Sequence, residues 1–267
     1  SAYYLKEIPK NPESKNYFDK AEEYFSKQDF DSAMKYYQMA VQIDSLQFAS
    51  MTYMAQIYGI RKNTDSAMYW YKRVISLNYI DYMAHWFLAD IYKDLGEFDM
   101  ACEEIAIAQV LNRNNPRLKA SFDNIMFKAK RANENWCFQP EIDLRRLSDT
   151  SIQVSFTKKW MGYALAKAVW EFEPGYRESM GAGESFFSTT EAKECILFQV
   201  VAMEANEFDL KKETPFKYLL AAMDKNMLDE YLLYEILLPQ HPIVASNLPP
   251  ETIRRISDYV LTVRNRK

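Results

Sequence analysis

Three alanines, Ala33, Ala67 and Ala101, stand 34 residues apart, and further columns keep the same step. Tyr24, Tyr58 and Tyr92 form one, Ala21, Ala55 and Ala89 a second, Asp31, Asp65 and Asp99 a third. Tyr37 and Tyr71 are answered by Ile105. A fixed period of this length is the mark of stacked supersecondary units, each too small to bury its own apolar face. The units run over 14–47, 48–81 and 82–115. Only 6 glycines occur in 267 residues, which argues against a chain built on tight β-turns.

The column chemistry predicts a helix–turn–helix unit. Phe18, Ala21 and Tyr24 share one helical face. The small alanines fall where two antiparallel helices approach, and the tyrosines fill the space between them. Asp31-Ser32, Thr64-Asp65 and Asp99 are placed to cap the second helix, and Gly96 to end the first helix of unit three. Pro116 opens a further helix, to about 131, with Leu118, Phe122, Ile125 and Met126 on one stripe.

On Ala21/Tyr24/Ala33/Tyr37/Ala40, Ala55/Tyr58/Ala67/Tyr71 and Leu88/Ala89/Tyr92/Gly96/Ala101/Ala108, the chain resembles the tetratricopeptide repeat family. Gln28 and Lys62 stand where that family often has glycine, and no proline closes each unit. The resemblance implies an α-solenoid that recognises a protein or peptide in a concave groove. The inward residues it implies include Phe18, Glu22 and Phe25 in unit one, Gln56 in unit two, and Trp86 and Asp90 in unit three. A subgroup of the family grips a peptide carboxylate with Lys and Asn, but here Phe18 and Glu22 occupy those positions. The implied groove is aromatic with acidic spots and suits an apolar or basic segment, either from a partner or from the chain's own second half.

The expected architecture is all-α: a repeat domain over 1–132 with its capping helix at 116–131, a connector over 133–155, and a C-terminal helical domain over 156–267. Asn133, Asn135 and Pro140 mark the connector, and no strand is expected beyond it. Lys158 to Phe172 reads as a helix apolar nearly all round, and Pro174-Gly175 ends it in a glycine loop reaching about Phe187. Ser188-Thr189-Thr190-Glu191 matches a capping box. Thr214-Pro215, Met227 and Pro249-Pro250 start the remaining helices.

Charge and chemistry point away from several classes. The net charge is −4, which gives no basic footprint for nucleic acid. The C-terminal Arg254, Arg255, Arg264, Arg266 and Lys267 read as a solvated helix face. Cys102, Cys137 and Cys195 are far apart and only two histidines exist, so no metal or cofactor site is expected. Cys195 sits near a capped helix start, where a thiol pKa can fall. No run approaches 18 apolar residues, so no membrane span is expected. The Ser1-Ala2 start suggests a removed leader or a trimmed end, favouring an exported or periplasmic location over the cytoplasm. Glu171, Arg177 and Glu194 are the candidate buried charges, expected to form one structural ion-pair cluster. The expectation is a non-enzymatic interaction module. The alternative is a ligand-binding or carboxylate-based catalytic domain in the second half, with the repeats as adaptor.

Overall fold

The structure, a computed structural model, describes residues 11–183 and 188–267. The Ser1-Ala2 start and the end of the glycine loop at Phe187 lie outside the described residues. Two compact units emerge: the residues through Arg131 together with Ile243–Ser257, and Ala132–Pro242 together with Asp258–Lys267.

In the first unit the helices alternate in antiparallel pairs: α1 (Pro12–Ser26), α2 (Phe30–Ile43), α3 (Phe48–Ile60), α4 (Thr64–Leu77), α5 (Tyr82–Leu95), α6 (Phe98–Leu111), then α7 (Pro116–Lys128). The 34-residue period holds down to backbone dihedrals. Gln28, Lys62, Gly96 and Lys130 all take left-handed backbone, with φ of 61°, 59°, 81° and 57°. The next N–H in each case, at Asp29, Asn63, Glu97 and Arg131, reaches back to the carbonyl of Tyr24, Tyr58, Tyr92 and Met126. That six-residue closure ends a helix by satisfying carbonyls the helix itself leaves open. The same turn therefore recurs whether or not glycine occupies it, and α7 repeats the first helix of a unit.

The capping residues differ from those expected. Asp29 and Asn63 accept from the backbone N–H of Ser32 and Ser66 at 3.1 and 3.2 Å. Asp31 and Asp65 sit two residues further on, inside the first helical turn. There a carboxylate faces the positive end of the helix dipole rather than a particular N–H. The alanine columns are fully buried, as close helix contact requires. Between them Tyr37 stacks on Tyr53 at 5.4 Å, and one repeat later Tyr71 packs on Phe87 at 5.8 Å.

The second unit holds a strand pair inside the expected connector. β1 (Ile142–Ser148) and β2 (Ser151–Phe156) pair antiparallel, with Ile142 opposite Phe156 and Leu144 opposite Val154. Ile152, Val154 and Phe156 alternate with Gln153 and Ser155, the period of two that marks a strand, although Ile152 and Phe156 stay exposed. α8 (Met161–Phe172), α9 (Tyr176–Ser179), α10 (Thr189–Ala205) and α11 (Thr214–Asp224) follow. α12 (Leu228–Tyr231) runs through a π-helical stretch, Leu232–Leu237, into α13 (Leu238–Gln240). α14 (Pro250–Tyr259) likewise continues as a π-helical turn, Val260–Arg264.

α8 and α10 lie antiparallel and very close. A Cβ on Gly162 would fall 2.5 Å from the Phe198 carbonyl oxygen, so only glycine fits there. Beside it the Gln199 side chain accepts from the Tyr163 N–H at 2.8 Å and donates to the Lys159 carbonyl.

Two expectations for the C-terminal end change. Residues 243–257 group with the repeats, so the helical domain expected over 156–267 is interrupted. Arg264 is buried rather than solvated: its guanidinium lies 3.1 Å from Glu235 and stacks over Trp136 at 4.5 Å. The Tyr259 hydroxyl donates to the same Glu235 oxygen group at 3.0 Å. A buried cation needs such partners, and they come from segments far apart in sequence.

Candidate functional site

The six groove residues fall on three columns of the first helices. Phe18 and Trp86 share one column, Glu22, Gln56 and Asp90 a second, and Phe25 starts a third. All six are half-buried, neither packed away nor fully solvated. Phe18 and Phe25 of α1 meet Tyr53 of α3 at 6.1 and 5.1 Å, and both also touch Tyr37. The Tyr37 hydroxyl donates to Glu22. Burial first, and the Glu22 carboxylate second, push the Tyr37 phenol above its ordinary range. Glu22 therefore sits among aromatic rings and a neutral hydroxyl, with no cation among the described residues at ion-pair distance.

In unit three the acidic column is compensated. Lys93 donates to Asp90 at 2.7 Å and the Ser121 hydroxyl to the same oxygen at 3.0 Å. Trp86 stacks on Phe87 at 5.4 Å. Its indole N–H is buried and finds no acceptor among the described residues. Gly59, one repeat before Lys93, faces open space. Sequence reasoning did not mark Tyr53 as part of the aromatic set, although its 34-residue partner Phe87 was a usable signal. Arg254 stacks on Tyr79 at 4.9 Å, in the loop between α4 and α5.

The three ion-pair candidates of the second unit do not meet as one cluster. Arg177 pairs with Glu191 at 2.6 Å, and Lys167 pairs with the other oxygen of the same carboxylate. Glu194 instead accepts from the Trp170 indole N–H at 2.8 Å and the Tyr176 hydroxyl at 2.7 Å. Glu171 is exposed. The expected capping box is half formed. Ser188 Oγ accepts from the Glu191 N–H at 3.1 Å, while the Glu191 carboxylate turns to its two cations. The helical spacing of Lys167 and Trp170 on α8, against Glu191 and Glu194 on α10, is the pattern that could have revealed both contacts.

Cys195 and His241 line one small cavity, about 80 Å³, with Tyr163, Lys167 and Glu191. The chain brings together a thiol and an imidazole that sequence spacing keeps apart. Burial nevertheless pushes the Cys195 thiol up to about 12, overriding the helix N-terminus that was expected to lower it. His85 is a core residue, its ring nitrogens 2.5 Å from Glu104 and 3.0 Å from the Tyr79 carbonyl. Among the described residues no group of three or more side chains is arranged to hold a metal ion. No helix among them is long and apolar enough to cross a membrane.

The comparisons bear on the first unit. Residues 14–45 match the family model described as tetratricopeptide repeat. No curated protein matches the chain. Among solved structures, the first such domain of Spaghetti (RPAP3) bound to an HSP90 peptide is 18% identical. It covers 44% of this chain and 93% of its own, at a TM-score of 0.42. The Yersinia enterocolitica secretion chaperone SycD with a YopD peptide is 17% identical, covering 46% and 99%, at 0.41. Yeast Tom70 is 14% identical over 94% of this chain and 49% of its own, at 0.39. Residues 14–45 are thus a tetratricopeptide repeat by the family model, and the same turn and the same buried columns recur at its 34-residue step through 115.

Proposed function

We propose that the repeats form a non-enzymatic protein-interaction module. Phe18, Glu22, Phe25, Gln56, Trp86 and Asp90 line its groove. The partner is a segment with apolar side chains and at least one basic residue. The observation that carries this reading is Glu22. A half-buried carboxylate among Phe18, Phe25, Tyr37 and Tyr53, with no cation beside it, leaves attraction for a positive group unspent. The half-open rings of Phe18, Phe25 and Trp86 supply the apolar area. Asp90 is already neutralised by Lys93, so the basic residue of the partner belongs at the α1 end.

The test uses two labelled peptides of equal length, one rich in Leu and Arg, the other with Glu in place of Arg, titrated by fluorescence anisotropy. The basic peptide should bind, and Trp86→Ala and Glu22→Gln should each weaken it. Equal binding of both peptides, or no loss in either variant, overturns the groove. If binding appears only after residues 243–257 are displaced, for instance in an Arg254→Ala and Ile253→Ala variant, the chain itself is the occupant.

A further inference from the structure

We propose that the α8–α10 face of the second unit is a docking groove for an amphipathic helix of a partner protein. The helix would carry a basic residue that pairs with Glu194. This site is independent of the repeats.

The groove has a volume of about 320 Å³ and runs between the two antiparallel helices. Its walls are Met161, Leu165 and Val169 on α8 and Phe198 and Val201 on α10. Leu165 is 49% exposed, Val169 42%, Phe198 55% and Val201 65%. Four large apolar side chains in one strip, each about half open, are not part of a finished core. A contiguous apolar patch of this kind is a usual mark of an interaction surface. A second hollow, of about 440 Å³, flanks the same Leu165 and Val169 on the side of the β-hairpin, so the α8 ridge stands between two depressions.

Two observations choose the occupant. The first is depth. A small ligand is engulfed in its pocket, with most of its surface buried. These walls stay half exposed, so the groove is a shallow trough that a rod-shaped partner can lie along. Its length matches. From Glu194 to Ala205 the α10 wall spans about 16 Å at 1.5 Å per residue, close to three helical turns. An apolar stripe at i, i+3 or i+4, i+7 and i+11 covers that distance.

The second observation is charge. Glu194 lies at one end of the groove, beside Val169 and Tyr176. Its oxygens accept from the Trp170 indole and the Tyr176 hydroxyl, both neutral donors. Lys167 and Arg177 are both engaged with Glu191, one turn earlier, and no cation among the described residues is at ion-pair distance from Glu194. A partly buried carboxylate without a counter-ion, at the mouth of an apolar trough, is complementary to a helix with an apolar stripe and Lys or Arg beyond its end. The pair also sets the direction in which the helix lies, since only one end meets Glu194.

The experiment uses the full chain and a fluorescein-labelled helical peptide of about 15 residues. The peptide has Leu on one face at the i, i+3, i+7, i+11 spacing and Arg at one end. A control carries Glu in place of that Arg. Val201→Asp changes the exposed wall and Glu194→Gln removes the charge but keeps an acceptor. Circular dichroism confirms that both remain helical. With Val201 and Glu194 intact, the chain should bind the Arg peptide about three- to tenfold more tightly than the Glu control. Val201→Asp should weaken both by at least about tenfold. Glu194→Gln should remove the preference while leaving the Glu control bound. Unchanged affinity in Val201→Asp, or a preference that survives Glu194→Gln, overturns the proposal. So does a concentration-dependent dimer that Val201→Asp dissociates, since a second copy is then the occupant. Every titration is made in the Trp86→Ala, Glu22→Gln background, which removes the repeat groove as a second binder of a Leu and Arg peptide, so a preference lost in that background belongs to the repeats and overturns the proposal.

Discussion

Lys62→Gly should stabilise the first unit and Gly96→Ala should destabilise it, although the two positions are equivalent by one repeat. Lys62 holds φ 59° and Gly96 φ 81°. A residue with a Cβ in left-handed backbone costs about 1–2 kcal/mol relative to glycine. Glycine gives back about 0.4–1 kcal/mol through the freer unfolded chain. The balance is about 1 kcal/mol, gained at Lys62 and lost at Gly96. A Cβ at Gly96 would meet nothing within 4 Å, so no clash adds to the backbone term. Lys62 is exposed and appears in no ion pair described above, so its side chain subtracts little. Urea unfolding followed by circular dichroism reads the midpoint, with the slope checked for constancy, because two units need not unfold as one. In a thermal melt the shift is about 2–4 °C, of opposite sign in the two variants. A neutral Gly96→Ala, or a Lys62→Gly that destabilises, would refute the claim that backbone conformation rather than side-chain contact sets these turns.

The remaining predictions follow from burial and pairing. Glu191→Ala should cost about 1–3 kcal/mol, because it removes the buried carboxylate that Lys167 and Arg177 share while both cations keep contact with solvent, whereas exposed Glu171→Gln should stay within about 0.5 kcal/mol. Equal melts for the two variants would contradict this pairing. Ala67→Trp should cost about 2–4 kcal/mol, since this fully buried contact has no room to relax, and an unchanged melt would misplace it. Thiol titration with a disulfide reagent at pH 8 should label exposed Cys137 quickly and leave Cys195 unreacted until the chain unfolds. Burial raises the Cys195 pKa to about 12, so its thiolate is scarce below that value and grows only as pH rises toward it. Rapid labelling of two cysteines in the folded protein at pH 8, with Cys195 identified as the second by mapping, would show that the cavity beside His241 is open to reagent.

The repeat was legible in the chain itself because it is a local, periodic constraint. Ala33, Ala67 and Ala101 must be small wherever a helix pair closes, and that need returns with every unit. The period predicted the turns at 28, 62 and 96, including two without glycine. The second unit has no such redundancy. Its hairpin carried a period-two signal at Ile152, Val154 and Phe156, but asparagines and a proline just before it spoke more loudly for a connector. The partners of its charges were beyond reach. Arg177 chose Glu191 rather than Glu171 because α8 and α10 pack antiparallel at Gly162, and that packing fixes which side chains face each other. Arg264, placed by sequence on a solvated face, is buried against Glu235 and Trp136, residues 29 and 128 positions away in the chain. Helical periodicity assigns a residue to a face of its own helix. What covers that face is decided only when the distant segments meet.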